Sequence, residues 1–339
     1  MKTVFIIDDD ASDLAAVKNA LSRTYKTYAL QSAREMFSLL EKITPDIILL
    51  DDEMPELDGY EALNILKSDD KFKRIPVVIL TAKHDEESEI CGFEIGAADF
   101  ISKPFSPPVL KKRIETLIET EKLIRKSLEQ VRKVHNATIN IIVSLVENRD
   151  EIAGGHIERM QKYLDILLNE LVRSGTYAEE IKKWNKEVLL QSVQLHDVGK
   201  IKISDIILHK PAKLSEDEFS SMKDHSIEGE KIIDGIIGKT HEDGFLIHAK
   251  KFAGCHHERW DGTGYPRGLK GENIPLEGRI MAIADVYDAL VSQRPYKEPY
   301  THEQAVEIIK KDSGAQFDPK IVDAFLNIAD DFWAEMVSR

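Results

Sequence analysis

Two cysteines in 339 residues, Cys91 and Cys255, are too few and too far apart for a disulfide framework, and their scarcity points to a reducing, cytoplasmic compartment. No apolar run nears the ~18 residues that a membrane-spanning helix requires, which excludes that mode of insertion. The opening MKTVFIIDDD has too short an apolar stretch before its acids to read as a secretory leader. Basic residues are outnumbered, 46 against 60 acidic, for a net charge of −14, which excludes a broad footprint on a nucleic-acid polymer or an anionic membrane. Proline and glycine are missing from residues 109–153, where nothing would interrupt a helix. What the chain does have is carboxylate and imidazole in clusters.

Residues 1–105 alternate short apolar runs with amphipathic segments. TVFII (3–7), DIILL (46–50) and PVVIL (76–80) are β-branched and too short for helices, whereas ASDLAAVKNALSR and SAREMFSLLEK have helical spacing. That order predicts an α/β doubly wound parallel sheet covered on both faces, whose ligands gather beyond the carboxyl ends of the strands. There the chain places Asp8, Asp9 and Asp10, then Asp51 in DDEMPELDGY, then Thr81 with Ala82, and finally Lys103 in DFISKPF. Asp58-Gly59 is ordinary turn chemistry, but carboxylates at strand ends call for a cation, and oxygen ligands of this kind suit Mg²⁺.

This constellation resembles the receiver domain of two-component response regulators, over about residues 1–120. Met54-Pro55 and Asp58-Gly59 match the loop after its acceptor. The resemblance implies that Asp51 is the phosphorylated aspartate, that Asp8 and Asp9 help it hold Mg²⁺, and that Thr81 and Lys103 contact the phosphoryl oxygens. It further implies that Phe100 reorients on activation, and that a cognate histidine kinase is the phosphodonor. A carboxylate becomes an effective nucleophile when a metal screens its charge and that of the incoming phosphate.

Residues 108–146 carry apolar side chains at 110, 114, 117, 124, 128, 131, 142 and 145, with Glu121, His135 and Thr138 in the seam between them. A long connecting helix is predicted. The near-heptad seam predicts pairing with a second copy in a homodimer, with packing on the chain's own neighbouring domain as the alternative.

Residues 140–335 read as all-α, with long amphipathic stretches such as IERMQKYLDILLNELVRS and WNKEVLLQSVQLHD. Their histidines fall in distinctive company: His156 in AGGHIER, His196 in LHDVGK, His225 in MKDHSIEG and His256-His257 in CHHERWDGTGYP, with Asp285 in IMAIADVYDAL. Adjacent residues on a helix point ~100° apart, so Asp197 can bridge two metals while His196 binds one. Imidazole with carboxylate suits Fe or Mn first, with Zn or Ni also accommodated. Two metals ~3.5–4 Å apart generate a nucleophile and clamp a phosphate for in-line displacement, so phosphodiester hydrolysis is the expected reaction.

This half resembles the HD-GYP family of the HD phosphohydrolase superfamily, over about residues 140–320, on His196-Asp197-Val198-Gly199-Lys200 and Gly264-Tyr265-Pro266 together with ILHKPAKL, IPLEGRI and RPYK. The resemblance implies cyclic di-GMP as substrate, opened to pGpG and in some members cut on to GMP. It implies His156, His196, Asp197, His225, His256, His257 and Asp285 as metal ligands. Lys200 would steady the attacked phosphate or the nucleophile, Arg294 and Lys297 would receive phosphate or guanine, and Tyr265 would support the pocket. One departure stands in RDEIAGGH (149–156): where three-metal members have glutamate and threonine, this chain has Ile152 and Ala153, so two metals are expected. Glu151 is one residue too early to substitute. Cys255 is expected to pack as a small hydrophobe, and Trp260 either walls the pocket, stacks on guanine or simply packs. His209, His241, His248 and His302 are expected at the surface.

The combined expectation is a receiver gating a cyclic di-GMP phosphodiesterase. Its rivals are a nucleotide-binding or protein-interaction module without turnover, and a phosphodiesterase for another cyclic dinucleotide such as cyclic GMP-AMP.

Overall fold

The computed structural model describes residues 1–82, 86–150, 155–240, 244–293 and 298–338. The chain divides into two compact units, Met1–Val134 and His135–Arg339.

In the first unit, β1 (Thr3–Ile7), β2 (Lys26–Leu30), β3 (Ile47–Asp51), β4 (Val77–Thr81) and β5 (Asp99–Ser102) form one parallel sheet in the order β2-β1-β3-β4-β5. Between them run α1 (Ala11–Leu21), α2 (Ala33–Leu40), α3 (Gly59–Ser68) and α4 (Glu86–Ile95). The apolar runs are continuous because both faces are covered. Phe5 and Ile7 enter one core with Met36, Leu63 and Ile79, while Val4 and Ile6 enter the other with Val17, Leu49 and Leu80. Each such side chain contributes ~1.5–3 kcal/mol on burial. β3 and β4 each lie one residue later than their apolar runs, so that Asp51 and Thr81 are the last residues of their strands. Edge strand β2, KTYAL, keeps an exposed face and so lacks the apolar run that marks the others.

The predicted connector is α5 (Pro107–Asp150). Leu110, Ile114 and Ile118 are buried against the sheet with Val4 and Ile6. Ile124, Leu128 and Val131 remain 47%, 62% and 63% exposed. Further on, Ile139, Val143 and Val146 join a small core with Leu195, Val198 and Phe245. The seam thus divides: its first positions pack on the chain's own sheet, and its middle has no cover among the described residues.

The second unit consists of α6 (His156–Ser174), α7 (Ala178–Ile181), α8 (Lys186–Ser192), α9 (Asp205–Leu208), α10 (Glu216–Thr240), α11 (Gly244–Cys255), α12 (Leu276–Val291), α13 (His302–Lys311), α14 (Pro319–Asn327) and α15 (Ala329–Val337), with short 3₁₀ turns at 193–195, 198–202 and 271–273. Residues 160, 163, 164, 167, 168 and 171 of α6 form one buried face, at the three-and-four spacing of an amphipathic helix. That face meets α12, which is buried along nearly its whole length, and Tyr163 stacks on Phe332 with centroids 4.5 Å apart. WNKEVLLQSVQLHD is not one helix. α8 ends at Ser192, and Asp197 sits at φ −102°, ψ 9°, the bridge region in which a helix does not continue.

Candidate metal centres

At the carboxyl edge of the sheet, Asp8, Asp9 and Asp51 bring oxygens within 4.8 Å of one another. Burial pushes the Asp51 carboxyl up to about 6; the charge of Asp8 adds to the effect, and Lys103 opposes it. Lys103 Nζ bonds to Asp51, and also reaches Asp8 Oδ2 at 2.7 Å and Asp13 Oδ2 at 3.0 Å. Asp10 turns away to cap α1, accepting from the Ser12 and Asp13 amides at 2.7 and 3.2 Å. Thr81 Oγ1 donates to Asp52 Oδ2 at 2.5 Å, and Phe100 is buried edge-on against Phe93 at 4.8 Å. Three carboxylates this close, two of them buried, fit a hard divalent cation.

The second centre is assembled from five places in the chain. His156 opens α6, His196 and Asp197 lie between 3₁₀ turns, His225 lies within α10, His256 and His257 follow α11, and Asp285 lies within α12. The geometry groups them into two sets of donor atoms, each within 4.8 Å: His156, His196 and Asp285, and His225, His256 and His257. Asp197 faces both. Its Oδ2 is 3.2 Å from His196 Nε2, and its Oδ1 is 3.4 and 3.8 Å from the Nε2 atoms of His225 and His256. Lys200 Nζ lies 2.7 Å from Asp197 Oδ2. Burial alone would raise the Asp197 pKa, but Lys200, His196 and His225 outweigh it and hold the group ionised well below the usual carboxylate range.

The histidines are oriented by hydrogen bonds at their other nitrogen. Nδ1 of His196, His225 and His256 donates to the carbonyls of Val193, Met222 and Phe252 at 2.9, 2.7 and 2.9 Å. A carbonyl only accepts, so the proton of each neutral ring is on Nδ1 and the Nε2 lone pair points into the centre. Burial pushes His256 down to about 4 and His257 well below its ordinary value. Among the described residues, His196 Nε2 is buried with no well-aligned hydrogen-bond partner, although Asp197 Oδ2 lies 3.2 Å away. Imidazole nitrogens in two clusters, with an ionised carboxylate aimed at both, fit first-row divalent metals.

Two glycines permit this assembly. A Cβ on Gly199 would lie 1.9 Å from the His225 carbonyl oxygen, and one on Gly264 would lie 2.3 Å from the Arg259 nitrogen. The first lets the 198–202 turn lie directly on α10, and the second closes the loop that brings the Tyr265 ring within 4.7 Å of His257.

Several contributors escaped the sequence reading. Asp288 accepts from His156 Nδ1 at 2.8 Å and from Arg159 Nε and Nη2 at 2.6 and 2.9 Å, all three residues being buried. Their signal was helical spacing: Asp288 is three after Asp285, and Arg159 three after His156. Buried Glu258 accepts from the amides of Arg267 and Leu269 at 2.8 and 2.9 Å, pinning the Gly-Tyr-Pro loop from behind. Cys255 is buried, and burial pushes its thiol up to about 11, as befits a packing residue. His248, expected at the surface, is instead buried beside Trp184, with Nδ1 donating to Glu277 Oε1 at 2.8 Å. His302 is partly buried and bonds to the Tyr287 hydroxyl at 2.9 Å, whereas His209 is exposed as expected. Trp260 lies 6.0 Å from the guanidinium of Arg279. Arg294 and Lys297 lie outside the described residues, as do His241, Glu151, Ile152 and Ala153.

A parallel α/β sheet with an acidic phosphate-type site, joined to a helical unit with paired His/Asp donor sets, defines a receiver coupled to a metal-dependent phosphohydrolase. The chain matches the response regulator receiver domain over residues 4–115 and the HD domain over residues 140–321. It is 38% identical over 341 residues to a probable cyclic di-GMP phosphodiesterase of Vibrio cholerae, covering 96% of this chain and 77% of that one. It is 33% identical over 340 residues to the cyclic di-GMP phosphodiesterase response regulator RpfG of Xanthomonas campestris pv. campestris, covering 95% and 86%. A 3′3′-cGAMP-specific phosphodiesterase 2 of Vibrio cholerae is 37% identical over 204 residues, 60% of this chain and 37% of that one. The chain belongs to the family of metal-dependent cyclic di-GMP phosphodiesterase response regulators. Among the described residues, no helix is long and apolar enough to cross a membrane.

Proposed function

We propose that this protein hydrolyses cyclic di-GMP to linear pGpG and that phosphorylation of Asp51 by a cognate histidine kinase controls the rate. The observation that carries the reading is Asp197, whose two oxygens face separate three-residue donor sets. His156, His196 and Asp285 would hold one transition metal and His225, His256 and His257 the other, with Asp197 between them and iron or manganese the best match. Bound there, the pair would supply Lewis acidity and activate a water. The water oxygen replaces the 3′ oxygen on one phosphorus, and the departing 3′ oxygen gains a proton. Lys200, held at Asp197 by its ammonium, stabilises charge developing on the phosphoryl oxygens. Glu258 fixes the loop that presents Tyr265 beside His257, closing that side of the pocket. In the receiver, Asp8, Asp9 and Asp51 would hold Mg²⁺, and Lys103 and Thr81 would receive the phosphoryl oxygens once Thr81 leaves Asp52, with Phe100 following. The exposed α5 side chains Ile124, Leu128 and Val131 support a homodimer through that helix.

The test is anaerobic turnover of cyclic di-GMP by protein of measured metal content, with Asp197→Ala as control. The expected result is pGpG as product, about two metals per chain, and loss of turnover in the control. Nucleotide binding without turnover by metal-loaded protein would refute the reading. Cyclic GMP-AMP offered in competition decides the base preference, because phosphate contacts carry no base information.

A further inference from the structure

Arg149 stands in the last turn of α5, seven residues before His156, and its guanidinium faces the turn that carries Lys200. Nη1 donates to the Ile201 carbonyl at 2.9 Å and more weakly to that of Lys200 at 3.5 Å. Nη2 donates to the Ile203 carbonyl at 3.0 Å, and Asp205 Oδ1 holds the guanidinium from the far side at 2.5 and 3.2 Å. One side chain therefore gathers the carbonyls leaving the 198–202 turn. Three residues earlier on the same helix, Val146 packs with Leu195 and Val198, the residues flanking His196-Asp197. The end of α5 thus grips the His196–Lys200 segment by apolar contact on its leading side and by hydrogen bonds on its trailing side. A 3₁₀ turn has little hold on its own geometry, because its hydrogen bonds are poorer than those of an α-helix. The position of the Lys200 ammonium depends on that turn.

We propose that Arg149 is a positioning residue for the hydrolytic reaction: it fixes the 198–203 backbone so that Lys200 stays at Asp197. The proposal rests on the phosphodiesterase reading for its kinetic consequence and on the hydrogen bonds alone for its structural one. A guanidinium is required because its planar fork serves several carbonyls at once, which a lysine ammonium does not reproduce.

The experiment compares full-length, metal-loaded wild type with Arg149→Ala, Arg149→Lys and Asp205→Asn, reading kcat, KM, metals per chain and hydrogen exchange of the 198–203 amides. In Arg149→Ala, kcat falls about ten- to a hundredfold, the scale of an ~1 Å misplacement of a working group. KM and metal content stay at wild-type values, the 198–203 amides exchange faster, and Arg149→Lys and Asp205→Asn fall between. Unchanged kcat and unchanged exchange would overturn the proposal. Loss of kcat in step with loss of metal would overturn it too, since Arg149 would then be holding the metal centre rather than Lys200. Should wild type itself show no turnover, the phosphodiesterase reading fails, and amide exchange alone then decides the proposal.

Discussion

Among the described glycines of the second unit with a close-approach distance, Gly199 has the tightest surroundings, so Gly199→Ala is a demanding change. Its Cβ would lie 1.9 Å from the His225 carbonyl oxygen, 2.5 Å from the Gly229 nitrogen and 2.8 Å from the His225 carbonyl carbon. Against the ~3.5 Å at which non-bonded carbons settle, the shortfall at the oxygen is roughly 1.5 Å. All three neighbours are backbone, so no side chain can rotate out of the way, and the 198–202 turn and α10 must separate. Overpacking of this kind costs ~1–3 kcal/mol, a fall of ~2–12 °C in Tm for a unit of this size. The functional loss is larger, because His225 Nε2 lies 3.4 Å from Asp197 Oδ1 and both belong to the pieces that part. A displacement near 1 Å at such a site costs ~10²-fold in turnover. Gly229→Ala is the graded control: its Cβ would meet the Gly199 nitrogen at 3.2 Å and Ala253 Cβ at 3.3 Å, which small shifts relieve. The assay is kcat, metals per chain and Tm for both variants beside wild type. If Gly199→Ala keeps wild-type turnover, metal content and Tm, the close packing of turn on helix does not set the site, and the reasoning is refuted.

Glu258→Gln leaves one of the Arg267 and Leu269 amides facing an NH₂ instead of an oxygen, an unsatisfied buried donor worth ~1–3 kcal/mol; Tm should fall and KM rise with metal content retained, and an unchanged KM would show that the loop does not depend on Glu258. Asp51→Asn should abolish labelling by a small phosphodonor and make turnover indifferent to it; labelling of this variant would place the acceptor elsewhere. Metal-free protein should lose stability as pH falls from ~6.5 toward 5, because an unfolded histidine titrates near 6.5, whereas folded His225, His256 and His257 are all lowered, His256 to about 4. The unfolded state then binds more protons, and stability drops with acidification. His196, Asp51 and Asp8 are raised and act in the opposite sense, so the melts are best run in Asp51→Asn, where His196 and Asp8 still oppose the three. A flat profile from pH 7 to 5 would contradict neutral burial of the three rings.

The sheet could be read ahead of the structure because a strand buried on both faces must be apolar throughout, as TVFII is, and because Asp8, just after β1, and Asp51, at the end of β3, are thereby delivered to one edge. His196 and Asp197 were expected to diverge from one helical turn; they lie instead between 3₁₀ turns, with Asp197 Oδ2 3.2 Å from His196 Nε2. β2 was not placed, since its exposed face breaks the apolar run. His248 was misjudged because no local pattern reveals that Glu277, 29 residues away, is buried beside it.

Sequence alone determined which chemistries are present: carboxylates at strand ends, histidines beside aspartates, a helix free of proline and glycine from residue 109 on. Tertiary structure alone decided how they combine. Asp197 faces two donor sets only because α6, α10, α11 and α12 converge on it, and His156 is aimed only because Asp288, 132 residues away, holds its Nδ1. It also decided that the first part of the α5 seam is spent on the chain's own sheet while Ile124, Leu128 and Val131 are left uncovered. The physical reason is range: propensity and periodicity act over a few residues, whereas ligand geometry and burial are set by elements that meet only when the whole core has formed.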